Sequence, residues 1–180
     1  LGAECLILVC GGLPPRSKDI QGARHMVEDG IAVVLDDALS AGVPLAIEPL
    51  HPMYAGDRSV VSTTRQALDI CDALGSEGIG VALDVYHVWW DPEIVAQVER
   101  AGAKRLLAFH ICDWLVPTTD LLEDRGMMGD GVADIAGLRR LVEAHGYRGC
   151  HEVEILSRAW WARDPHAVLR ACIERHESAC

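Results

Sequence analysis

Four apolar runs in the sequence end in residues that can carry charge. They are Glu48 in LAIEPL, Asp84 in ALDVYH, His110 in LAFHICD, and Glu152 with Glu154 in HEVEIL. Carboxylates and imidazoles are costly to bury unless they are paired. One such residue could be explained by a local cap, but four at equivalent positions indicate a common partner. Acidic groups brought together would repel one another without a cation, so the pattern predicts a divalent-metal site.

The mixture of donor atoms also indicates which ion would bind and what chemistry it would assist. One imidazole with three carboxylates is a hard, oxygen-dominated set, which favours one divalent Mn, Mg or Co ion, with Zn or Fe as alternatives. A carboxylate at the edge of such a site can act as a base on one face of a substrate and as an acid on the other. The competing interpretation is that each strand end is capped or salt-bridged separately.

The elements that must position these residues are short β-rich runs that alternate with amphipathic helical stretches. The β-rich runs cover residues 5–10, 43–49, 79–85, 105–111 and 149–156. Strands alternating with helices predict a parallel sheet covered by helices, either a doubly wound sheet or a (β/α)8 barrel. A Rossmann-type sheet would need a GxGxxG turn, which the segment Gly11–Pro15 lacks. In a barrel the carboxyl ends of the strands converge on one mouth, where active sites are built.

Five segments of the chain resemble the sugar isomerase and epimerase barrels similar to xylose isomerase, also called the AP endonuclease family 2-like superfamily. The segments are IEPL at 47–50, LDVYHVWWDP at 83–92, FHICDW at 109–114, RGMMGDGVADI at 125–135 and GYRGCHEVEILS at 146–157. The resemblance implies an α/β fold of the (β/α)8 TIM-barrel type. The chain holds only about five of its units, so we expect residues 1–180 to form a single domain, a partial barrel of the fourth to eighth βα units, as in a fragment of a longer protein.

The resemblance also implies an activity. It assigns the metal ligands to Glu48, Asp84, His110 and Glu154. Glu48 and Glu154 would also be the catalytic residues of a metal-dependent isomerase or epimerase, which moves a proton next to the carbonyl of a sugar or keto-polyol through an enediolate. Two alternatives remain open: a metal-dependent dehydratase, that is a lyase, acting on an inosose-type keto-polyol, and a non-catalytic barrel module.

Further residues are assigned to the substrate by the same resemblance. His87, three residues after Asp84, matches a histidine that contacts a substrate oxygen, and Arg125 matches an arginine that binds a substrate oxygen or carboxylate. His51 could line the pocket or lie in an exposed loop. The tryptophans that follow three of the strands, among them Trp114, could form an aromatic rim against a sugar-like ligand or a neighbouring subunit, or they could pack over the barrel mouth.

Two other acidic residues could lie outside the metal site and orient one of its ligands by hydrogen bonding to it. Glu152 and Glu154 are two residues apart and face the same side of a strand, so Glu152 is either an alternative ligand or a residue that supports one. Asp113 could orient a ring nitrogen of His110. Strand alternation, however, places Cys112 on the His110 side of the strand rather than Asp113.

Composition limits the partners and the compartment. Lys and Arg number 16 against 27 Asp and Glu, a formal charge of −11, which argues against nucleic-acid binding and against an AP endonuclease activity. No apolar run is long enough for a membrane span. The seven cysteines are scattered and include no Cys-x-x-Cys pair, which indicates a reducing, cytoplasmic location. We expect a small sugar or keto-polyol as partner, and a second copy of the chain as a further candidate because an open sheet exposes two edges.

Overall fold

Five parallel strands form one sheet in the computed structural model, which describes residues 2–180. The strands are β1 (Leu6–Leu8), β2 (Leu45–Ile47), β3 (Ile79–Asp84), β4 (Leu106–Ile111) and β7 (His151–Val153). Their order in the sheet, β1-β2-β3-β4-β7, follows their order in the chain. A doubly wound sheet would reverse direction at a switch point. Here every crossover moves the same way, so the strands curl as a half-barrel and the predicted partial (β/α)8 fold is confirmed.

Helices follow the strands as the alternation predicts. They are α1 (Ile20–Ala41), α2 (Thr64–Leu74), α3 (Val85–Val88), α4 (Ile94–Arg105), α5 (Ile135–Ala144), α6 (Arg158–Trp161) and α7 (Pro165–Ala179), with a 3-10 turn at Pro52–Tyr54. The start of α2 shows why they begin where they do: the Thr63 side chain accepts a hydrogen bond from the amide of Gln66, which satisfies a free backbone donor of the first turn. α2 ends at Gly75, whose left-handed backbone (φ 62°) suits glycine.

The hydrophobic core lies between the sheet and these helices. Central strand residues such as Ile47, Val81 and Phe109 are almost completely buried, and they pack in one cluster with helix residues such as Leu68 and Val98. Because successive side chains of a strand point to opposite faces, the residues between these apolar positions face the inside of the curled sheet. The core therefore fixes the direction in which the polar residues at the strand ends point.

The register of the strands aligns the polar ends in one row. Asp84 on β3 is directly opposite His110 on β4, and His110 is directly opposite Glu152 on β7. Glu48 follows the last residue of β2, and its amide donates to the carbonyl of Leu8 on β1 over 3.1 Å. Residues far apart in the sequence thus meet at the carboxyl edge of the sheet.

The long segment between β4 and α5 contains a small hairpin that the sequence pattern does not reveal. Strands β5 (Asp113–Trp114) and β6 (Arg125–Gly126) pair antiparallel. The hairpin carries Arg125 back toward the carboxyl edge of the sheet. Strands β1 and β7 are the edges of the sheet and, within the described part of the chain, each pairs on one side. Across residues 2–180, no helix combines the length and the apolar character that crossing a membrane requires.

Candidate metal centre

Four side chains converge where the strands end. Glu48, Asp84, His110 and Glu154 each offer one ligand atom, and these four atoms all lie within 4.8 Å of one another. A cation bound at about 2.0–2.2 Å by oxygen and nitrogen holds neighbouring ligand atoms roughly 3.0–3.5 Å apart, so the side chains would move closer together to bind one ion. The donor types, three carboxylates and one imidazole, also suit a divalent cation.

The four ligands differ in their access to solvent. Glu48 is 5% exposed, Asp84 is fully buried and His110 is 5% exposed, whereas the Glu154 side chain is 37% exposed. Glu154 therefore lies on the open side of the cluster. A ligand that approaches from solvent would meet this carboxylate first.

The buried guanidinium group of Arg125 lies against the carboxylates. Arg125 is 4% exposed, and its Nη1 atom is 2.7 Å from Oδ2 of Asp84 and 3.2 Å from Oε2 of Glu154. Its guanidinium carbon lies 4.5 Å from the centre of the Tyr86 ring. Burial disfavours the charged guanidinium, but Asp84 and the other acidic neighbours outweigh burial and raise the pKa of Arg125. Arg125 thus stays cationic and offsets part of the acidic charge.

The backbone around Arg125 is joined to the segment that follows Glu154. The amide of Arg125 donates to the carbonyl of Leu156 over 3.1 Å, and the amide of Arg158 donates to the carbonyl of Glu123 over 3.2 Å. The side chains of Arg158 and Glu123 also form an ion pair. The hairpin that carries the cation and the chain that follows the fourth carboxylate are therefore held side by side.

The imidazole of His110 has two different surroundings. Its Nδ1 atom is 3.0 Å from Oε1 of Glu48 and 3.5 Å from Oε2 of Glu154, whereas its Nε2 atom is buried and has no hydrogen-bond partner among the described residues. Burial opposes protonation of the ring, but the hydrogen bonds with Glu154 and Glu48 outweigh it and raise the pKa of His110 to about 10. The same contact with His110 lowers the pKa of Glu154.

Asp84 uses its two oxygens for different tasks. Oδ1 accepts a hydrogen bond from the amide of Tyr86 over 2.8 Å and caps the one-turn helix α3, while Oδ2 faces Arg125. Burial raises the pKa of Asp84, although the Arg125 guanidinium acts in the opposite direction. Cys112 approaches Asp84 Oδ1 with its sulfur at 4.0 Å, so strand alternation assigns the inward side of β4 correctly.

His87 lies beside the cluster in a fixed orientation. It is 2% exposed, and its Nδ1 atom accepts a hydrogen bond from the backbone amide of His51 over 3.1 Å. Burial first, and then Arg125, lower the pKa of His87 to about 2. Its Nε2 atom lies 3.3 Å from Nη2 of Arg125 and 3.7 Å from Oδ2 of Asp84. The sequence pattern does not reveal that the backbone amide of His51 contacts His87.

The two residues considered as supports for His110 lie in different places. Glu152 has Oε2 at 3.9 Å from Nε2 of His110, and its side chain is 71% exposed. Asp113 accepts hydrogen bonds from the amides of Trp114, Gly129, Gly131 and Ala133, at 2.8 to 3.0 Å. Both Asp113 oxygens are thus occupied by backbone donors, and its role is to hold the loop that follows β6 rather than to orient His110.

Replacement of Asp113 by asparagine should lower the free energy of unfolding by about 1–3 kcal/mol, because the amide that replaces one oxygen cannot accept and leaves buried N–H groups unsatisfied. Urea unfolding followed by circular dichroism measures this change. Asp36→Asn on the exposed side of α1 is the matched control and should change stability by less than about 0.5 kcal/mol. Equal effects of the two substitutions would contradict the assigned role.

An aromatic wall closes one side of the cluster. The His51 ring stacks on Trp114 with centroids 5.0 Å apart and meets the edge of Trp90 at 5.4 Å. Tyr86 also packs on Trp114, at 4.6 Å. The hydroxyl of Tyr86 donates to the carbonyl of Leu121 over 2.8 Å, which anchors the segment between β5 and β6. His51 therefore belongs to the wall of the site rather than to an exposed loop.

Comparison with known proteins places this geometry in context. A family model described as xylose isomerase-like TIM barrel matches residues 1–174. The crystal structure of protein SMc04130 from Sinorhizobium meliloti 1021 is 60% identical, with a TM-score of 0.97 over 99% of this chain and 66% of that chain. A structure of the IolI protein, described as having a binding zinc atom, is 19% identical, with a TM-score of 0.81 over 99% of this chain and 63% of that chain.

A curated relative is named for its reaction. The inosose isomerase of Halalkalibacterium halodurans is 28% identical over 117 residues, which is 63% of this chain and 40% of that protein. The chain thus spans less than half the length of this relative and about two thirds of the length of the Sinorhizobium protein.

Proposed function

This chain belongs to the xylose isomerase-like TIM barrel family, and on that premise we propose that it carries the metal centre of an isomerase or epimerase acting on a sugar or keto-polyol. The observation that carries the proposal is the convergence of Glu48, Asp84, His110 and Glu154, whose ligand atoms lie within 4.8 Å of one another. The inosose isomerase among the relatives supports a cyclic keto-polyol as the substrate class, and an isomerase rather than a dehydratase.

The four clustered residues would hold one divalent ion. The carboxylate-rich donor set is compatible with Mn, Mg or Co, and the zinc atom of the IolI structure supports Zn as an alternative. A bound divalent ion supplies Lewis-acid polarisation of substrate oxygens. Arg125 remains beside Asp84 and Glu154, where its charge limits the repulsion between these carboxylates.

The chain's own residues would handle the proton. Glu48 and Glu154 approach the centre from β2 and from the end of β7, and in the proposed reaction one removes a proton from the carbon next to the carbonyl while the other returns it. The His51 amide holds the ring of His87 beside the centre, where the ring would contact a substrate oxygen. The aromatic wall of His51 and Trp114 would exclude water from one side of the substrate.

Wild-type protein incubated with an inosose and Mn²⁺ in deuterated water should return substrate or isomer with deuterium at the carbon next to the carbonyl, as measured by ¹H NMR. Glu48→Gln should lower the exchange rate by about 100- to 10,000-fold, because it removes the group that transfers the proton. Glu99→Gln on the exposed side of α4 is the control and should exchange at the wild-type rate. A dehydrated product would favour the lyase instead, and neither exchange nor product would favour a non-catalytic module.

A further inference from the structure

The Nε2 atom of His110 is a buried polar atom without a hydrogen-bond partner among residues 2–180. Buried ring nitrogens in folded proteins nearly always have a partner. The opposite ring nitrogen, Nδ1, already faces Glu48 at 3.0 Å and Glu154 at 3.5 Å. The ring therefore points Nδ1 into the ligand cluster, and Nε2 is left without a hydrogen-bond acceptor among these residues.

Glu152 is the acidic side chain aimed at that nitrogen. It is directly opposite His110 in the register of β4 and β7, and its Oε2 atom is 3.9 Å from Nε2. A hydrogen bond to an imidazole N–H is about 2.7–3.2 Å long, so the carboxylate lies roughly 1 Å too far away. Its side chain is 71% exposed and forms no hydrogen bond with residues 2–180, so rotation about its own bonds can close this gap.

We propose that Glu152 is a positioning residue, whose carboxylate accepts the Nε2–H hydrogen bond of His110 and thereby holds Nδ1 toward Glu48 and Glu154. The proposal rests on the proposed metal centre. A histidine that binds a metal through one nitrogen usually donates its other N–H to a carboxylate or carbonyl, which fixes the ring and raises its basicity. Glu152 has the position for this task, whereas Asp113 does not, since its oxygens are occupied by backbone amides.

The role separates Glu152 from Glu154, although both glutamates face the same side of the strand. Glu154 contacts Nδ1 of His110 and Arg125 and belongs to the four-atom cluster. Glu152 contacts the opposite edge of the same ring and lies outside the cluster. The two carboxylates thus flank one imidazole, and Glu154 is the one that belongs to the cluster of ligand atoms.

An exposed carboxylate could also assist a cation by its charge alone, and a neutral acceptor distinguishes the two effects. Glu152→Gln removes the charge but keeps an oxygen that can accept from Nε2–H. Glu152→Ala removes both. If the hydrogen bond is what matters, glutamine should retain most of the effect; if the charge is what matters, glutamine should behave like alanine.

Mn²⁺ and Co²⁺ affinity of the purified chain, measured by isothermal titration calorimetry, tests the proposal together with the visible absorption bands of bound Co²⁺. We expect Glu152→Ala to weaken binding about 10- to 100-fold and to shift the Co²⁺ bands, because the ring is no longer held. We expect Glu152→Gln to stay within about 3-fold of wild type. Glu174→Ala on the exposed side of α7 is the control and should match wild type. Circular dichroism of the metal-free forms should show the wild-type helix content in every variant, because Glu152 is exposed and the loss of one hydrogen bond does not unfold the chain.

Each result decides between the proposals. Wild-type affinity and spectrum in Glu152→Ala would overturn the positioning role while leaving the metal centre intact. Equal weakening in the alanine and glutamine variants would overturn it in favour of a charge effect. Failure of the wild-type chain to bind either ion would overturn the metal centre and, with it, the role of Glu152.

Discussion

Replacement of Glu154 by glutamine is expected to weaken binding of a divalent ion by at least about 1,000-fold, more than the roughly 10- to 100-fold that loss of an outer partner costs. Glu154 contributes one of the four clustered ligand atoms, and an amide oxygen cannot replace the charge of a carboxylate. Glu154 is also the most exposed of the four, at 37%, so its replacement should leave the fold intact. Calorimetric titration with Mn²⁺ measures the loss directly.

The matched control for this experiment is Glu174→Gln, the same chemical change on an exposed face of α7, which should bind Mn²⁺ like wild type. Circular dichroism of Glu154→Gln should show the wild-type helix content. If the variant folds and still binds the ion with wild-type affinity, Glu154 is not a ligand and the assignment of the centre is wrong.

Replacement of Arg125 by methionine should lower the free energy of unfolding of the metal-free protein by about 3–5 kcal/mol, the usual result of removing one partner of a buried ion pair. Asp84 is fully buried, and its Oδ2 atom lies 2.7 Å from Arg125. Methionine fills a similar volume but leaves this carboxylate without a compensating charge. Urea unfolding in the presence of a chelator measures the loss, and adding Mn²⁺ should recover part of it because a bound cation stabilises the folded state.

The loss of unfolding free energy in Arg125→Met should depend on pH, because it depends on the charge state of Asp84. Burial already holds the pKa of Asp84 above its ordinary value, and loss of Arg125 removes the group that opposes this rise. A carboxyl group whose pKa is raised on folding loses its stabilising contribution as the pH rises through that pKa, so the deficit of the variant should be larger at about pH 8 than at about pH 5.

Arg100→Met provides the control for Arg125, since Arg100 pairs with Asp69 and Asp72 at the surface with a side chain 34% exposed. Surface ion pairs contribute at most about 1 kcal/mol, so this variant should be close to wild type. If both arginine variants lose the same small amount of unfolding free energy, Asp84 does not become an uncompensated buried charge when Arg125 is replaced.

The positions of the strand ends were predictable because burying a charge is expensive wherever it occurs. Glu48, Asp84 and His110 stand out against apolar runs in the printed sequence, and their type alone indicates a shared partner. The partial barrel was predictable for a similar reason, since alternation of strands and helices leaves few topologies. The ligand row could then be inferred from the way carboxyl ends of parallel strands converge.

The remaining features depend on contacts that no local pattern encodes. Strands β5 and β6 have two residues each, too short for any periodicity, so the turn that brings Arg125 back to Asp84 could not be read from the sequence. The orientation of the His87 ring depends on the backbone amide of His51, and every residue except proline has such an amide. Asp113 shows the same limit, because the four amides that surround it come from a loop whose path depends on the folded state.

The backbone bonds between the hairpin and the end of β7 have a consequence for motion. Arg125 and Glu154 belong to neighbouring stretches of chain. Two backbone hydrogen bonds join these stretches: the Arg125 amide donates to the Leu156 carbonyl, and the Arg158 amide donates to the Glu123 carbonyl. Because of these bonds, the two stretches are expected to move as one unit. The guanidinium of Arg125 and the carboxylate of Glu154 would therefore move together. Movement of this side of the barrel would therefore separate both Arg125 and Glu154 from Asp84 at once.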